Sequence, residues 1–581
     1  MIETLKETWS EFTAPGSPFA WSNQMVRGIP MRVFDKAPEN MRLIWENSAQ
    51  FAERPYISFE DESINYTDTH AMVRSLAHYL AFETDVGAGD RVAIAMRNYP
   101  EWIIAYWATI VIGASAVGIN AWWTPAEIKY ALNDSQPKVL FADDERLRRV
   151  LEILPEVRQI SPMRVVAVRS DRQLPTDATN WEDHVDTAGA PSELPPANIA
   201  ADDDMSIHYT SGTTGFPKGA QLTHRGSVHN VLHIAFANAV VTAATEKLAA
   251  ASGAATETAA SGSVSEGGRP VMMVPTPLFH VTASNCMLHP ATLTGGQIVL
   301  LHHWDPARAL ELIERRRVRT FVGVPTMARE LVTHPDWHLR DTSSLTSLGG
   351  GGAAIQPDLV AKIDAADGRV QPSTGYGLTE THGVVTTVSN AFFAARPTSA
   401  GFVMPTFEYK VIDEDGHKLP LGARGELCVK GPAVIKGYIN CPEETAEVIK
   451  DGWFGTGDIV YLDEDEFVHI VDRAKDMVLR GGENVYCAEV EAAIYQHRDV
   501  AEAVVFSVPD ERLGETVGAA IHLTPNATLN NTELNAHLAP LIAKFKQPEH
   551  VWFVNERLPQ NANGKFLKRQ IREKLIATLP I

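Results

Sequence analysis

The segment Tyr209–Gly219, "YTSGTTGFPKG", sets Thr210, Ser211, Thr213 and Thr214 among Gly212, Gly215 and Gly219 and places one cation, Lys218, near its end. Exposed backbone N–H groups in a glycine-rich turn converge on an anion, hydroxyls add donors and a lysine adds charge, so this segment is suited to hold phosphate. It is not a Walker A loop. That pattern, GxxxxGK[ST], puts Ser or Thr after the lysine, whereas Lys218 is preceded by Pro217 and followed by Gly219. Gly and Thr together also make ordinary turns, but the full string is much more specific than "GTTG" alone.

The elements that must carry this loop can be read from the flanking pattern. Thr223 is the expected N-cap of a helix over "HRGSVHNVLHIAF", so the loop lies between two strands and does not run directly into a helix. Elsewhere, "RVAIAM" precedes the helical "EWIIAYWATIV", "EIKYALNDSQP" leads into "KVLFA", and "GQIVLL" precedes "PARALELIERRR" and then "RTFVGV". Strands alternating with helices predict a layered α/β architecture with largely parallel sheets. The uncharged run Trp102–Trp123 has the length of a membrane span. Gly113, Gly118 and Asn120 punctuate it, so a buried helix, a break at Gly113 and a buried strand are expected, with a peripheral membrane contact left open. Thr242–Gly268 is rich in Ala, Ser, Thr and Gly, buries little, and reads as a mobile surface insertion. After about Val471 the pattern changes to a small α+β unit, and "DRAKD", Asp472–Asp476, is the candidate linker. The expected domains are 1–473 and 474–581.

The 581 residues, 45% of them hydrophobic, are enough for more than one core. A formal charge of -21 argues against nucleic acid as the partner. Cys286, Cys428, Cys441 and Cys487 form no CxxC pair, which argues against a disulfide or zinc framework and fits a reducing compartment. The polar N-terminus, "MIETLKETWSEFTAPG", is not a signal peptide, so the expected location is the cytoplasm.

Further motifs follow the loop in order: "YGLTET" (Tyr376–Thr381), "GELCVKGPAVIKGY" (Gly425–Tyr438), "GWFGTGD" (Gly452–Asp458), "DRAKDMVLRGGENVYCAEVE" (Asp472–Glu491) and "NGK" (Asn563–Lys565). Together with "YTSGTTGFPKG" they resemble the adenylate-forming, AMP-binding superfamily of acyl-CoA synthetases, peptide-synthetase adenylation domains and beetle luciferases, from about residue 60 to the end. The resemblance implies an α/β chain with a large multi-sheet N-terminal domain, built from two layered α/β subdomains plus a distorted β-barrel, and a small mobile α+β C-terminal domain. It also implies ATP, Mg2+ and coenzyme A as cofactors, with a small carboxylic acid as the substrate; a homodimer stays open.

The chemistry explains why these residue types are needed. A carboxylate is a poor electrophile until it attacks the α-phosphate of ATP and becomes an acyl-adenylate. Two anions must meet, so the site must supply positive charge where charge builds up. By the resemblance, Thr210–Gly215 and Lys218 hold phosphate, Thr379 donates to the α-phosphate, and Glu380 is the magnesium-associated carboxylate. Tyr376 and Gly377 lie at adenine, and Gly351, Gly352 and Ala353 separate adenine from the acyl pocket. Asp458 and Arg473 match the ribose contacts; a carboxylate can accept from both ribose hydroxyls. Lys565 matches the lysine that bridges acid and phosphate during adenylation. It sits on the small domain, which in this superfamily rotates to present a second face for thioester formation. Lys475 matches the hinge, and Gly481 and Gly482 the glycines passed by pantetheine. Cys487 departs from the proline that relatives often carry.

"PLFHVTA", Pro277–Ala283, resembles the superfamily motif that ends near the acyl pocket; the resemblance implies that His280 borders the adenylate and the thiol entry, and the segment has no aspartate for an ammonium group. An amino-acid substrate is therefore disfavoured. Val324, Met327, Gly350, His382, Gly383 and Val384 are the expected wall, with Gly350 making room for a wide or long acyl group. Apolar walls discriminate chain length weakly, by about 1–3 kcal/mol per methylene. A medium- or long-chain fatty acid is expected first, and an aryl or steroid-side-chain acid close behind. Carrier loading or luciferase-like adenylation is the alternative to CoA ligation.

Overall fold

A computed structural model describes residues 1–176, 178–210, 217–252, 269–352, 355–367, 370–474, 476–481, 483–562 and 564–579. Two large sheets form the body. A seven-stranded sheet runs in the order Lys218–Thr223, Asp204–Thr210, Ser115–Gly118, Arg91–Ala95, Val139–Asp143, Arg164–Val168, Ala178–Asn180, all parallel except the first pair. A nine-stranded sheet has a parallel centre, Pro55–Phe59, Gln297–Leu300, Val271–Val274, Thr320–Gly323, Ser347–Gly351 and Gln371–Leu378, with antiparallel strands at both edges. A third, five-stranded antiparallel sheet of the body is centred on Trp453–Leu462. The small unit has its own five-stranded sheet, in which Val500–Asp510 pairs with Gly514–Leu523, and its own core around Val505, Val517 and Leu534.

The span-like run divides as its glycines require. Helix Pro100–Ile110 starts on a proline, whose missing N–H is no loss at a helix start, and it is buried on every side. Gly113 then turns at φ +80, a left-handed conformation that favours glycine, into the buried strand Ser115–Gly118. The expected insertion is corrected in part. Residues 242–252 continue the helix His224–Ser252, and the rest, 253–268, lies outside the described residues. Among the described residues this helix is the one long and apolar enough to cross a membrane. Its N-terminal half is held in the body, with Thr223 Oγ1 accepting from Gly226 N at 3.0 Å as the expected cap.

That half sits in a layer of buried histidines. Burial holds His208 and His229 down at about 4 and His224, His289 and His382 down at about 3, against an ordinary 6.5. Each histidine takes up a proton in the unfolded chain below about pH 6.5 but not in the folded one. Stability is therefore complete above that pH and falls on acidification, by about 1.4 kcal/mol per pH unit for each histidine. The melting temperature is expected to drop steeply between pH 6.5 and pH 4.5; a flat profile in thermal melts would contradict this.

Strand Gln371–Leu378 slips its register against Gly383–Ser389 between Tyr376 and Gly377. The slip brings backbones so close that a Cβ at Gly377 would lie 1.5 Å from the Gly383 carbonyl oxygen. Gly377→Ala is expected to destabilise the chain by roughly 3 kcal/mol or more, or to prevent folding. Gly352 has φ +77 and open space around it, so Gly352→Ala should cost only about 1–2 kcal/mol. Denaturant midpoints of the two variants test the contrast.

Candidate active site

Parallel strands of one sheet end on the same side, and here both large sheets deliver their C-terminal ends to one cleft of about 1320 Å³. Arg97 and Asn98 follow strand Arg91–Ala95, Pro275–Thr282 follow Val271–Val274, and Val324 follows Thr320–Gly323. Thr379 and Glu380 follow Gln371–Leu378, and the antiparallel sheet adds Thr456 and Gly457 to one side.

On that side Asp458 is buried, and its backbone register places it opposite Arg473. Arg473 Nε donates to Asp458 Oδ1 at 2.9 Å, and Tyr376 Oη donates to Oδ2 at 2.6 Å. Each carboxylate oxygen keeps accepting capacity for a hydroxyl. Burial and the neighbouring Asp458 push the Tyr376 phenol well up, so it stays a neutral donor. Gly350, Gly351 and Gly352 line the cleft, and a Cβ at Gly351 would find the Gly375 carbonyl oxygen at 3.6 Å.

Thr210 and Lys218, the ends of the strand pair Asp204–Thr210 and Lys218–Thr223, line the cleft; Thr210 Oγ1 donates to the Lys218 carbonyl at 3.4 Å. Lys218 Nζ stands 5.4 Å from the centroid of the Tyr438 ring, and Tyr438 Oη donates to Glu380 Oε1 at 2.8 Å. One tyrosine thus holds a cation and a carboxylate at the same stretch of the cleft, beside the buried Thr379. Ser211, Gly212, Thr213, Thr214, Gly215, Ala353, Lys475 and Gly482 lie outside the described residues.

Val281, Cys286, Val324, Met327, Gly383 and Val384 are uncharged residues of the cleft lining, and Val324, Met327, Gly383 and Val384 belong to the expected wall. Val384 N donates to Asn230 Oδ1 at 2.8 Å, Asn230 Nδ2 to the Asn285 carbonyl at 2.9 Å, and Asn285 Nδ2 to the His382 carbonyl at 3.0 Å. This buried amide chain fixes the wall. A Cβ at Gly383 would meet Asn230 Oδ1 and Cys286 Sγ, both at 2.7 Å, so the glycine is required for close packing. Cys286, Asn230 and Asn285 were not anticipated. Cys286 could have been, since it lies six residues past His280 in the same segment.

Two expectations about the wall are corrected. His382 does not face the cleft: it is fully buried, its Nδ1–H donates to the Ala433 carbonyl at 2.7 Å, and its Nε2 accepts from Thr223 N at 2.8 Å. Gly350 does not open space, because Ile355 Cδ1 already stands 3.1 Å from where its Cβ would be.

His280 lines the cleft, and its Nδ1 accepts from Thr282 N at 3.3 Å, so the proton of the neutral ring sits on Nε2. Burial, then the charges of His208 and Lys565, hold it at about 4. Lys565 enters from the small unit on the turn Asn561–Lys565, which closes with Lys565 N donating to Asn561 Oδ1 at 3.0 Å. Its side chain is open to the cleft yet surrounded by protein, and this desolvation, with the Arg473 charge, lowers it to about 8. Gly564, at φ +76, rests on the body; a Cβ there would lie 2.7 Å from Val324 Cγ2.

A few contacts clasp the two units. Arg557 pairs with Glu330 of the body and, at 2.8 Å, with Glu502 of its own unit, while Arg329 lies 5.4 Å over the Tyr495 ring. Next to the linker, Cys487 N donates to the buried Asp472 carboxylate, and its Sγ donates to the Asp476 carbonyl at 3.0 Å. A proline at 487 could not make the first of these bonds. Gly481 turns the hairpin Val478–Arg480 to Glu483–Val485 at φ +59, outside the cleft lining.

The cleft thus sets a buried carboxylate, Asp458, held by Arg473 and Tyr376, within electrostatic reach of Lys565 from the small unit. Residues 44–439 match the AMP-binding enzyme family and residues 489–565 the AMP-binding enzyme C-terminal domain, and the chain belongs to this family. It is an AMP-forming acid–thiol ligase of the acyl-CoA synthetase type. It is 34% identical over 515 residues to a feruloyl-CoA synthase of Amycolatopsis sp, covering 88% of this chain and 94% of that protein. It is 31% identical over 553 residues to a long-chain-fatty-acid–CoA ligase of Bacillus subtilis (strain 168), covering 92% and 94%. Among solved structures it resembles ATP-bound MatB from Rhodopseudomonas palustris, with TM-score 0.76, 28% identity and 92% and 99% of the two chains covered.

Proposed function

We propose that the chain joins an apolar carboxylic acid to CoA, with a medium- or long-chain fatty acid as the first substrate class. The supporting observation is the acyl wall of Val281, Cys286, Val324, Met327, Gly383 and Val384, which carries no charged side chain. The acid's carboxylate oxygen attacks the α-phosphorus of ATP and pyrophosphate leaves. The CoA sulfur then attacks the acyl carbon and AMP leaves. In the first step Lys565 and Lys218 offset negative charge, while Asp458 and Tyr376 hold the nucleoside. Glu380 has one oxygen on Tyr438 and presents a hard donor where phosphate would lie, which fits Mg2+ held by one carboxylate plus phosphate and water. The ion would neutralise charge on the leaving pyrophosphate. In the second step the small unit turns about the linker and exchanges Lys565 for the turn at Gly481, breaking the Arg557–Glu330 clasp.

An aryl acid is the second reading. Ile355 beside Gly350 shortens the wall, and the Amycolatopsis relative is a feruloyl-CoA synthase. A panel of fatty, aryl and steroid-side-chain acids assayed for AMP and thioester release with ATP, Mg2+ and CoA separates these readings. A highest kcat/KM for an aryl acid would overturn the first. Adenylate formed without any CoA thioester would point to carrier loading.

A further inference from the structure

Arg97 lines the cleft, but no step above uses it. Its guanidinium lies 4.0 Å from the centroid of the Trp122 ring, and its Nε is shut from solvent with no hydrogen-bond partner. Two acids attract it without pairing with it, and both are engaged elsewhere: Glu145 with Arg146 at 2.7 Å and with Arg149, and Asp143, whose Oδ2 accepts from the Arg97 backbone N–H at 2.9 Å and whose Oδ1 accepts from Arg146 Nε at 2.7 Å. Among the described residues the Arg97 guanidinium therefore has no carboxylate partner. The other cleft arginines do: Arg473 has Asp458, and Arg557 has Glu502 and Glu330, whereas the lysines Lys218 and Lys565, like Arg97, have none among the described residues. His302 lines the same stretch, feels the Arg97 charge, and has a buried Nδ1 that also lacks a partner. A half-buried, unpaired cation is costly in a chain of net charge -21 unless an anion completes it. The planar fork of arginine suits the paired oxygens of phosphate or carboxylate, and stacking on Trp122 fixes its plane.

We propose that Arg97, braced on Trp122 with His302 beside it, is a second anion subsite of the cleft, taking either a phosphate of CoA or a second carboxylate on the acid. The inference rests on the acid–CoA ligase reading. Its test uses Arg97→Met, which keeps side-chain length but loses charge and donors, and Arg97→Lys, which restores the charge. One arm compares kcat/KM for CoA, dephospho-CoA and pantetheine. The other compares a monocarboxylic acid with its ω-carboxyl analogue. In one arm the wild-type protein is expected to prefer the more anionic ligand, by a margin that falls about tenfold or more in Arg97→Met and partly returns in Arg97→Lys. A change in the CoA arm identifies phosphate, and a change in the acid arm identifies carboxylate. No preference in the wild type, or preferences unchanged in Arg97→Met, overturns the subsite while leaving the ligase reading intact. Equal losses for every ligand with a lowered melting temperature overturn it as well, by making Arg97 a structural cation. Absence of acid-dependent AMP release from the wild type removes the ligase reading itself.

Discussion

Lys565→Ala is expected to lower acid-dependent exchange of pyrophosphate into ATP by roughly 10²–10³-fold while sparing thioester formation from prepared acyl-adenylate. Lys565 is brought to the cleft by a turn that touches the body at Val324, and its charge is felt at His280, Arg473 and Asp458. A cation in that position acts where acid and phosphate meet, and the second step has no such meeting of anions. The lowered value of about 8 adds a pH signature. Lys565 is charged below that pH and neutral above it, so kcat/KM for ATP in the adenylation half-reaction should fall as pH rises through about 8, since that parameter reports the free enzyme. The thioester half-reaction should lack this limb. Equal damage to both half-reactions would contradict the assignment.

Asp458→Ala is expected to raise KM for ATP by about ten- to a hundredfold, the weight of hydrogen bonds to a charged acceptor. The carboxylate is buried, it is fixed by Arg473 and Tyr376, and it directly follows Thr456 and Gly457, which line the cleft. Tyr376→Phe removes only one of the groups that orient it and should act in the same direction with a smaller effect. Initial rates over a range of ATP concentrations measure both; an unchanged KM in Asp458→Ala would contradict a ribose role.

Much of the site was legible because its chemistry is written in short contiguous motifs. Asp458 and Arg473 lie in separate motifs, and each was read by type; that they sit directly opposite each other in one strand pair is a matter of register, which motif spacing does not reveal. His382 misled for a related reason. It follows "YGLTET", but the left-handed turn at His382, φ +58, sends the ring into the core between Thr223 and Ala433. At Gly350 a missing side chain suggested room, yet a residue outside the strand, Ile355, fills it. Residues 242–252 were read as insertion because they bury little; alanine nevertheless has the highest helix propensity, and it carries the helix on to Ser252. The clasp of Arg557 on Glu330 joins residues 227 apart in sequence, and only the folded chain brings them together.

The central claim is that this cleft transfers AMP to a carboxylic acid before any thiol takes part. The most direct measurement is exchange of labelled pyrophosphate into ATP with Mg2+, without CoA, across the acid panel. Exchange that depends on at least one apolar acid and collapses in Lys565→Ala is the expected result. No acid-dependent exchange with any acid, or exchange that appears only once CoA is added, would contradict it.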